Sequence, residues 1–422
     1  MNKLLKTPSR NNWPVVIIAG GNFIELYDFT LYGFFAPVIA ELFFPSESQT
    51  ISLLATFSGF ALGFFIRPIG AILFGHIGDV YGRRPALILS LGLMGLSTLT
   101  ITLLPSYQQI GFLAPTVLLM CRLLQGLSMS GEVAATLTSL TEHAHPKHQG
   151  LLSSLVHVSG ISGMIAGSLV ATLVHWNLAT EDIMLWGWRI PWLMGALGCI
   201  VLTSLRIKSG TPKNTKKPEQ VPIHQVLRKH KMDMLRVGVL NALNGTCFFM
   251  VFIYINTYWS EHLFFSRTQA LSINTGNMVL MVLAIPLAAR LADWIGARKV
   301  IIRAIITGLV GMVPSYWLMT QPEPWKVVIG QLAFAVLLAA IYGSGAILST
   351  RLLPSSVRMT GLALGYNTAQ GFLGSLSPII ATWLVSTTKI AFSPVLYLLV
   401  IYLTGIILLR KLPANLDRPL NS

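Results

Sequence analysis

Charge is what this chain has least of. Only 11% of its 422 residues are Asp, Glu, Lys or Arg, against roughly 25% in a soluble domain. Mean hydropathy is +0.66. An ordinary cytosolic enzyme is therefore excluded before any motif is read. Acidic residues are the scarcer sign, 15 against 30 basic ones. The three cysteines, Cys121, Cys199 and Cys247, fall inside apolar segments, so they read as small core residues and not as a disulfide framework. No His, Cys, Asp and Glu cluster has metal-ligand spacing, and no nucleophile stands with a base in a motif. The chain reads as neither an enzyme nor a holder of metal or cofactor. Ten-residue alternating segments are missing too, which argues against a membrane β-barrel. The longest polar interval, 206–236, is too short for a compact signalling or catalytic domain. A non-transporting sensor is disfavoured on that ground.

Long apolar runs are what remains. At roughly 20 residues per span, the chain accommodates twelve membrane helices. The first runs from Trp13 to about Phe44; it is too long for a cleaved signal and reads as a retained helix. Further spans are expected at 51–75, 86–104, 110–141, 149–176 and 187–207, then at 236–260, 268–290, 299–320, 326–351, 358–386 and 390–411. The expected class is an all-α membrane protein of two six-helix bundles, residues 1–207 and 236–422, joined by a linker over 208–235.

The formal charge of +15 sits in loops on one side, so no nucleic-acid partner is needed. The linker region carries Lys208, Lys213, Lys216, Lys217, Arg228, Lys229 and Lys231 with Pro212, Pro218 and Pro222. Lys3, Lys6 and Arg10 precede the first span, and Arg410, Lys411 and Arg418 follow the last. Basic loops mark the cytoplasmic side, so both termini are expected there, in an inner membrane. Trp186, Trp188 and Trp192 near the opposite boundary read as interfacial anchors.

The halves repeat. Gly75-His-Ile-Gly-Asp79-Val-Tyr-Gly82-Arg83-Arg84 is echoed by Ala289-Arg-Leu-Ala-Asp293-Trp-Ile-Gly296-Ala297-Arg298-Lys299, with Asp, the second Gly and the final Arg each displaced by 214 residues. A constant offset near half the chain length indicates a duplicated unit. The glycines permit a tight turn, Asp79 can face a helix N-terminus, and the arginines can face a carboxylate.

Buried charge gives an independent argument. An ionised side chain at the bilayer centre costs about 2.5 to 3.5 kcal/mol even on the lenient insertion scale. Glu25, Asp28, Arg67, Arg122 and Glu132 all lie inside spans. Glu25 and Asp28, three residues apart, share a helix face, and Arg122, Gln125 and Glu132 form a polar stripe on the fourth span. At about 1.5 Å per residue, Asp28 and Arg122 reach similar depth, as do Arg67 and Glu132, and each couple is expected to pair. Three carboxyls against two guanidiniums leave one carboxyl to take a proton or another cation. The second half offers amides and phenols instead: Asn241, Asn244, Tyr254, Asn256, Tyr258, Asn274, Asn277, Tyr342, Tyr366, Asn367 and Gln370. Such groups bind ligands or neighbouring helices. His157 reads as a satisfied interior histidine, and Gly160, Gly163 and Gly167 as helix packing.

The loop Gly-x-x-x-Asp-x-x-Gly-Arg-Arg, with its second copy, resembles the signature of the major facilitator superfamily. Gly21-Asn-Phe-Ile-Glu25-Leu-Tyr27-Asp28-Phe-Thr-Leu-Tyr32-Gly33, Arg67-Pro68-Ile-Gly70, Arg122-Leu-Leu-Gln125-Gly126 with Gly131-Glu132, and Pro354-Ser-Ser-Val-Arg358-Met-Thr-Gly361 are similar to its metabolite:proton symporters. That group includes proline/betaine transporters and α-ketoglutarate, citrate and shikimate permeases. Leu26 stands where the group has Trp, Ser130 replaces a Gly, Gln149 replaces an Arg, and Thr350-Arg351 replace an acidic residue. The resemblance implies proton-coupled uptake of a small organic anion or zwitterion by alternating access, by a monomer in a lipid bilayer, with sodium as the other candidate ion.

On this reading Asp28, Glu25 and Glu132 handle the proton. Arg122, Gln125, Tyr27, Tyr32, Asn241, Asn244, Tyr254, Asn274, Tyr366, Asn367 and Gln370 are the candidate substrate contacts. Gly75, Asp79, Gly82, Arg83, Arg84, Arg67, Glu142, Asp293, Arg298 and Arg358 are expected to gate. The rival is a proton-driven exporter on the same fold, but the fifth-helix segment Gly160-Ile-Ser-Gly163-Met-Ile-Ala-Gly167 lacks the Gly-Pro pair such exporters carry.

Overall fold

The fold was obtained as a computed structural model, which describes residues 15–208, 222–412 and 416. The basic positions Lys3, Lys6, Arg10, Lys213, Lys216, Lys217 and Arg418, with Pro212 and Pro218, lie outside the described residues. Among the described residues every regular element is helical. Ten helices among the described residues are long and apolar enough to cross a membrane. Their outer faces carry large apolar side chains, among them Leu283 and Val310, both more than half exposed. This inside-out pattern fits lipid as solvent.

The first apolar run, expected as one helix, is two: α1 (Val15–Phe34) and α2 (Ala36–Phe43), parted at Phe35. Pro37 in the first turn of α2 supplies the reason, since proline has no backbone N–H to continue the ladder. The second run divides the same way, into α3 (Gln49–Phe65) and α4 (Arg67–Val80), with Pro68 in the first turn of α4. Arg67 thereby sits on a seam. Then follow α5 (Arg83–Leu103), α6 (Leu113–His143), α7 (Gln149–Asn177) and α8 (Arg189–Lys208).

Beyond the linker come α9 (Pro222–Lys229) and α10 (Lys231–Phe248), the latter passing through a π-helical turn at Phe249–Tyr254 into α11 (Ile255–His262). The helices α12 (Arg267–Ile295), α13 (Ala297–Met319) and α14 (Pro324–Arg351) are long. A second π-helical turn, Ala369–Gly374, separates α15 (Arg358–Thr368) from α16 (Ser377–Thr388), and α17 (Val395–Leu409) closes the series.

The repeat is written in the backbone. Gly82 and Gly296, the equivalent glycines of the two motif copies, turn the chain at φ of 107° and 103°. Side chains other than glycine rarely adopt that conformation, so the motif spends its second Gly on the same bend twice.

The chain forms two compact units. One holds the described residues 15–136 and 159–208, the other 137–158 and 222–412. In the first, α5 and α1 both pack on α8. Trp188 and Trp192, expected as interfacial anchors, are instead fully buried, while Trp186 is half exposed. The break at Phe35 explains this: Phe35 meets the Trp192 ring edge-on at 5.3 Å and Phe43 meets Trp188 at 5.6 Å. On the opposite flank Gly163 lies so close to the Phe23 carbonyl that no side chain fits between α7 and α1. That is the packing role expected of the glycine stripe. In the second unit α14 packs against both α12 and α13, and α10 against α15. All three cysteines are buried and free.

Candidate functional site

Asp28 lies two turns from the end of α1 and is 1% exposed. Arg122 of α6 approaches its Oδ2 to 3.5 Å, the couple expected from helix depth. Gln125, one turn on, donates to the same oxygen at 2.9 Å, and Thr98 of α5 donates to Oδ1 at 3.1 Å. The Gln125 amide also reaches Thr98 Oγ1 at 3.0 Å. The Arg122 guanidinium rests 4.2 Å above the Tyr32 ring, whose hydroxyl is spent on the Thr56 carbonyl. Three helices therefore build one buried cluster containing Asp28, Tyr32, Arg122, Gln125 and Thr98. Thr98 was missed in the sequence because a Thr in an apolar run gives no signal. Tyr27, next to Asp28 in the chain, points away and donates to the Pro191 carbonyl at 3.0 Å.

A second cluster corrects an expected pairing. Glu132 is paired with Arg206 and not with Arg67. Both partners are completely buried. Arg206 grips both carboxylate oxygens, the Nη1–Oε2 bond measuring 3.0 Å, and Ser90 donates to Oε2 at 2.7 Å. Arg206 also donates to the carbonyls of Leu87, Ile17 and Ile18. In the sequence it stands at the start of the polar interval 206–236; its place in the last turn of α8 lets the side chain fold inward instead. Arg67 meanwhile lies 4.2 Å above the Phe64 ring, with Met129 Sδ 3.3 Å from its Nη2.

Counting Arg206 balances the three acids with three guanidiniums, so the surplus carboxyl inferred from composition does not exist. Geometry singles one out all the same. Glu25 is 0% exposed, and neither of its oxygens has a hydrogen-bond partner among the described residues. A bare carboxylate there would forfeit its hydration without replacement.

In the other unit the amides sort into two groups. Gln370, in the π-helical turn after α15, donates to Asn244 Oδ1 at 3.0 Å, and Asn244 reaches Asn241 at 3.5 Å. Asn274 and Asn277 are engaged by Gln331 of α14, which the sequence reading overlooked: Gln331 donates to Asn274 and to the Val251 carbonyl and accepts from Asn277. Asn367 donates to Ala363 in its own helix. Tyr254 is 8% exposed and Tyr366 half-buried. His157 lies against Tyr342 with ring centroids 4.4 Å apart.

The motif residues form local contacts. Arg83 bonds Asp79 at 2.6 Å and the Gly78 carbonyl, while Arg84 donates to the Arg206 carbonyl. Gly75 is buried in α4. In the second unit Glu142 pairs with Arg358 at 2.6 Å, Asp293 accepts from the first amides of α7, and Arg298 donates to the Arg410 carbonyl. Positions 149 and 351, where the chain departs from the resembled group, meet without an opposite charge, the Arg351 guanidinium donating to the amide oxygen Gln149 Oε1 at 3.2 Å. Among the described residues no three His, Cys, Asp or Glu converge as metal ligands.

Comparison with known proteins identifies the family. The chain is 31% identical over 412 residues to a citrate-proton symporter of Salmonella typhi, covering 96% of this chain and 94% of that one. A proline/betaine transporter of Salmonella typhimurium is 29% identical, with 95% and 83% covered. The solved structure of the proton:xylose symporter XylE superposes with a TM-score of 0.77 at 15% identity, over 96% of both chains. Residues 18–271 match the family described as Major Facilitator Superfamily. The chain belongs to the major facilitator superfamily.

Proposed function

We propose that the protein is a proton-coupled importer of a small organic anion or zwitterion, working by alternating access as a monomer in a bacterial inner membrane. Twelve spans in two six-helix repeats, 1–207 and 236–422, put both termini in the cytoplasm. The observation that carries the reading is the buried Asp28–Arg122 couple beside the unpartnered Glu25. An arginine held by a carboxylate at 3.5 Å with help from Gln125 and Thr98 is poised to exchange partners. When Asp28 takes a proton, Arg122 is released to a substrate carboxylate; when substrate leaves, the ion pair re-forms. Relatives named as citrate-proton symporters and proline/betaine transporters support this substrate range. Asn241, Asn244 and Gln370 supply a neutral polar wall for the remainder of the substrate.

The coupling is energetically adequate. One charge crossing 100 mV releases about 2.3 kcal/mol, enough for roughly fifty-fold accumulation. Glu142 with Arg358 and Asp293 with the start of α7 act as the cytoplasmic latch.

The test is uptake of radiolabelled proline, glycine betaine, citrate and α-ketoglutarate into proteoliposomes under an imposed pH gradient. Accumulation of one of these that collapses with a protonophore, and needs no sodium, is expected. Accumulation driven by sodium alone, or outward pumping only, overturns the assignment.

A further inference from the structure

Of the four buried acids among the described residues of the first unit, Asp79 is held by Arg83; the other three, Glu25, Asp28 and Glu132, are unequal, and Arg206 is what divides them. Gly21 and Glu25 lie four residues apart on one face of α1. A Cβ on Gly21 would collide with the Glu132 carboxylate and the Arg206 guanidinium. The Glu132–Arg206 pair therefore lies directly against α1, one turn before Glu25. Glu132 there accepts from Arg206 on both oxygens, from Ser90 at 2.7 Å and from Thr136 at 3.3 Å. Every one of those partners is a donor. Arg206 in turn joins α1, α5 and α6 to its own helix α8 through three backbone carbonyls and this one carboxylate. Removing one partner from so enclosed a pair would leave the other as an uncompensated buried charge.

Glu25 has the reverse surroundings. No donor bonds either oxygen among the described residues. The charged and titratable groups in electrostatic reach are Glu132 from α6, Arg67 from α4, Arg206 and Cys199 from α8, and Asp28 from its own helix. An ionised Glu25 forfeits its hydration here with no donor to replace it, whereas a neutral one loses less.

Building on the proton-coupled reading above, we infer that Arg206 is a positioning residue: it locks Glu132 into a permanent ion pair, so the proton carried beside it resides on Glu25. Glu132 then braces the helices and leaves proton exchange to its neighbour. The consequence is specific. Glu132 and Arg206 are replaceable together, but not singly, and Glu25 is not replaceable.

The experiment is infrared difference spectroscopy of the purified full-length protein between acidic and alkaline buffer, in an Asp28→Asn background that removes the other exchangeable acid. Beside the broad band of the solvent-exposed acids, one protonated-carboxyl C=O component is expected at the higher frequency of a carboxyl that accepts no hydrogen bond. It disappears in Glu25→Gln, persists in the neutral double variant Glu132→Gln with Arg206→Gln, and is joined by a second component in Arg206→Gln alone, where Glu132 loses its partner. Should Arg206→Gln fail to fold, the double variant and Glu25→Gln still decide the matter. Survival of the component in Glu25→Gln, its loss in the double variant, or an unchanged spectrum in folded Arg206→Gln overturns the assignment. No substrate is needed, so failure of all four uptake probes would remove the transport reading and leave this one to be judged on its own spectrum.

Discussion

Asp293 accepts hydrogen bonds from the backbone amides of Gly150 and Leu151, at 2.7 and 2.9 Å, and so caps the start of α7. The second motif copy thus uses its carboxylate on a helix N-terminus, where unpaired amides and the helix dipole both favour an anion. Gly150 is suited to this, because a side chain there would crowd the Asp293 carboxylate.

Asp293→Ala is expected to destabilise the protein by about 1 kcal/mol, the usual worth of a cap, and Asp293→Asn by less, since the amide oxygen still accepts a bond. Thermal unfolding of the purified protein in detergent measures both. Equal melting points for the two variants would mean that the cap contributes nothing.

The Glu142–Arg358 pair at 2.6 Å is only partly exposed, 25% and 8%. Glu142→Gln and Arg358→Gln should each loosen it, while the exchanged double variant Glu142→Arg with Arg358→Glu should recover part of the loss. A coupling of about 1 kcal/mol in the double-mutant cycle is expected. Strict additivity of the single effects would remove the pair from the latch.

Asp28→Asn should abolish pH-driven accumulation while keeping substrate exchange across the membrane, because the amide mimics a permanently protonated carboxyl. The expected loss of uphill uptake is on the order of tenfold or more, equivalent to at least about 1.4 kcal/mol. Counterflow and accumulation assays on the same vesicles separate the two steps, and accumulation at the parental level would exclude Asp28 from coupling.

Gln331 bonds Asn274 and Asn277 at 2.8 Å each, and the Val251 carbonyl at 3.0 Å. Gln331→Leu leaves the buried Asn274 Oδ1 without its donor and Asn277 with only the Val328 carbonyl at 3.5 Å, at a cost of roughly 1 to 3 kcal/mol. A lowered melting point with an unchanged KM is expected. A raised KM at full stability would instead make this amide group part of the substrate wall.

The membrane class and the repeat were legible in the sequence because both are properties of order along the chain. Scarcity of charge needs no geometry, and a constant offset between Asp79 and Asp293 needs none either; the equivalent glycines Gly82 and Gly296 share one backbone bend. The Asp28–Arg122 couple was also reachable, since helix rise converts residue number into depth. Helix breaks were harder. Pro37 and Pro68 stand in plain view, yet an apolar run conceals where the ladder is interrupted.

What depth along a span cannot supply is rotation about the helix axis. Arg67 and Glu132 stand at similar depth, but Arg206 reaches Glu132 from the end of α8, and a basic residue bordering a basic linker gives no sign of turning inward. The same ambiguity made Trp188 and Trp192 look like boundary anchors and hid Gln331 and Thr98. Composition and spacing along the chain determined that buried acids exist and roughly how deep they lie. Only tertiary packing decided which of them holds a guanidinium and which is left without a donor, because that depends on which helix faces meet.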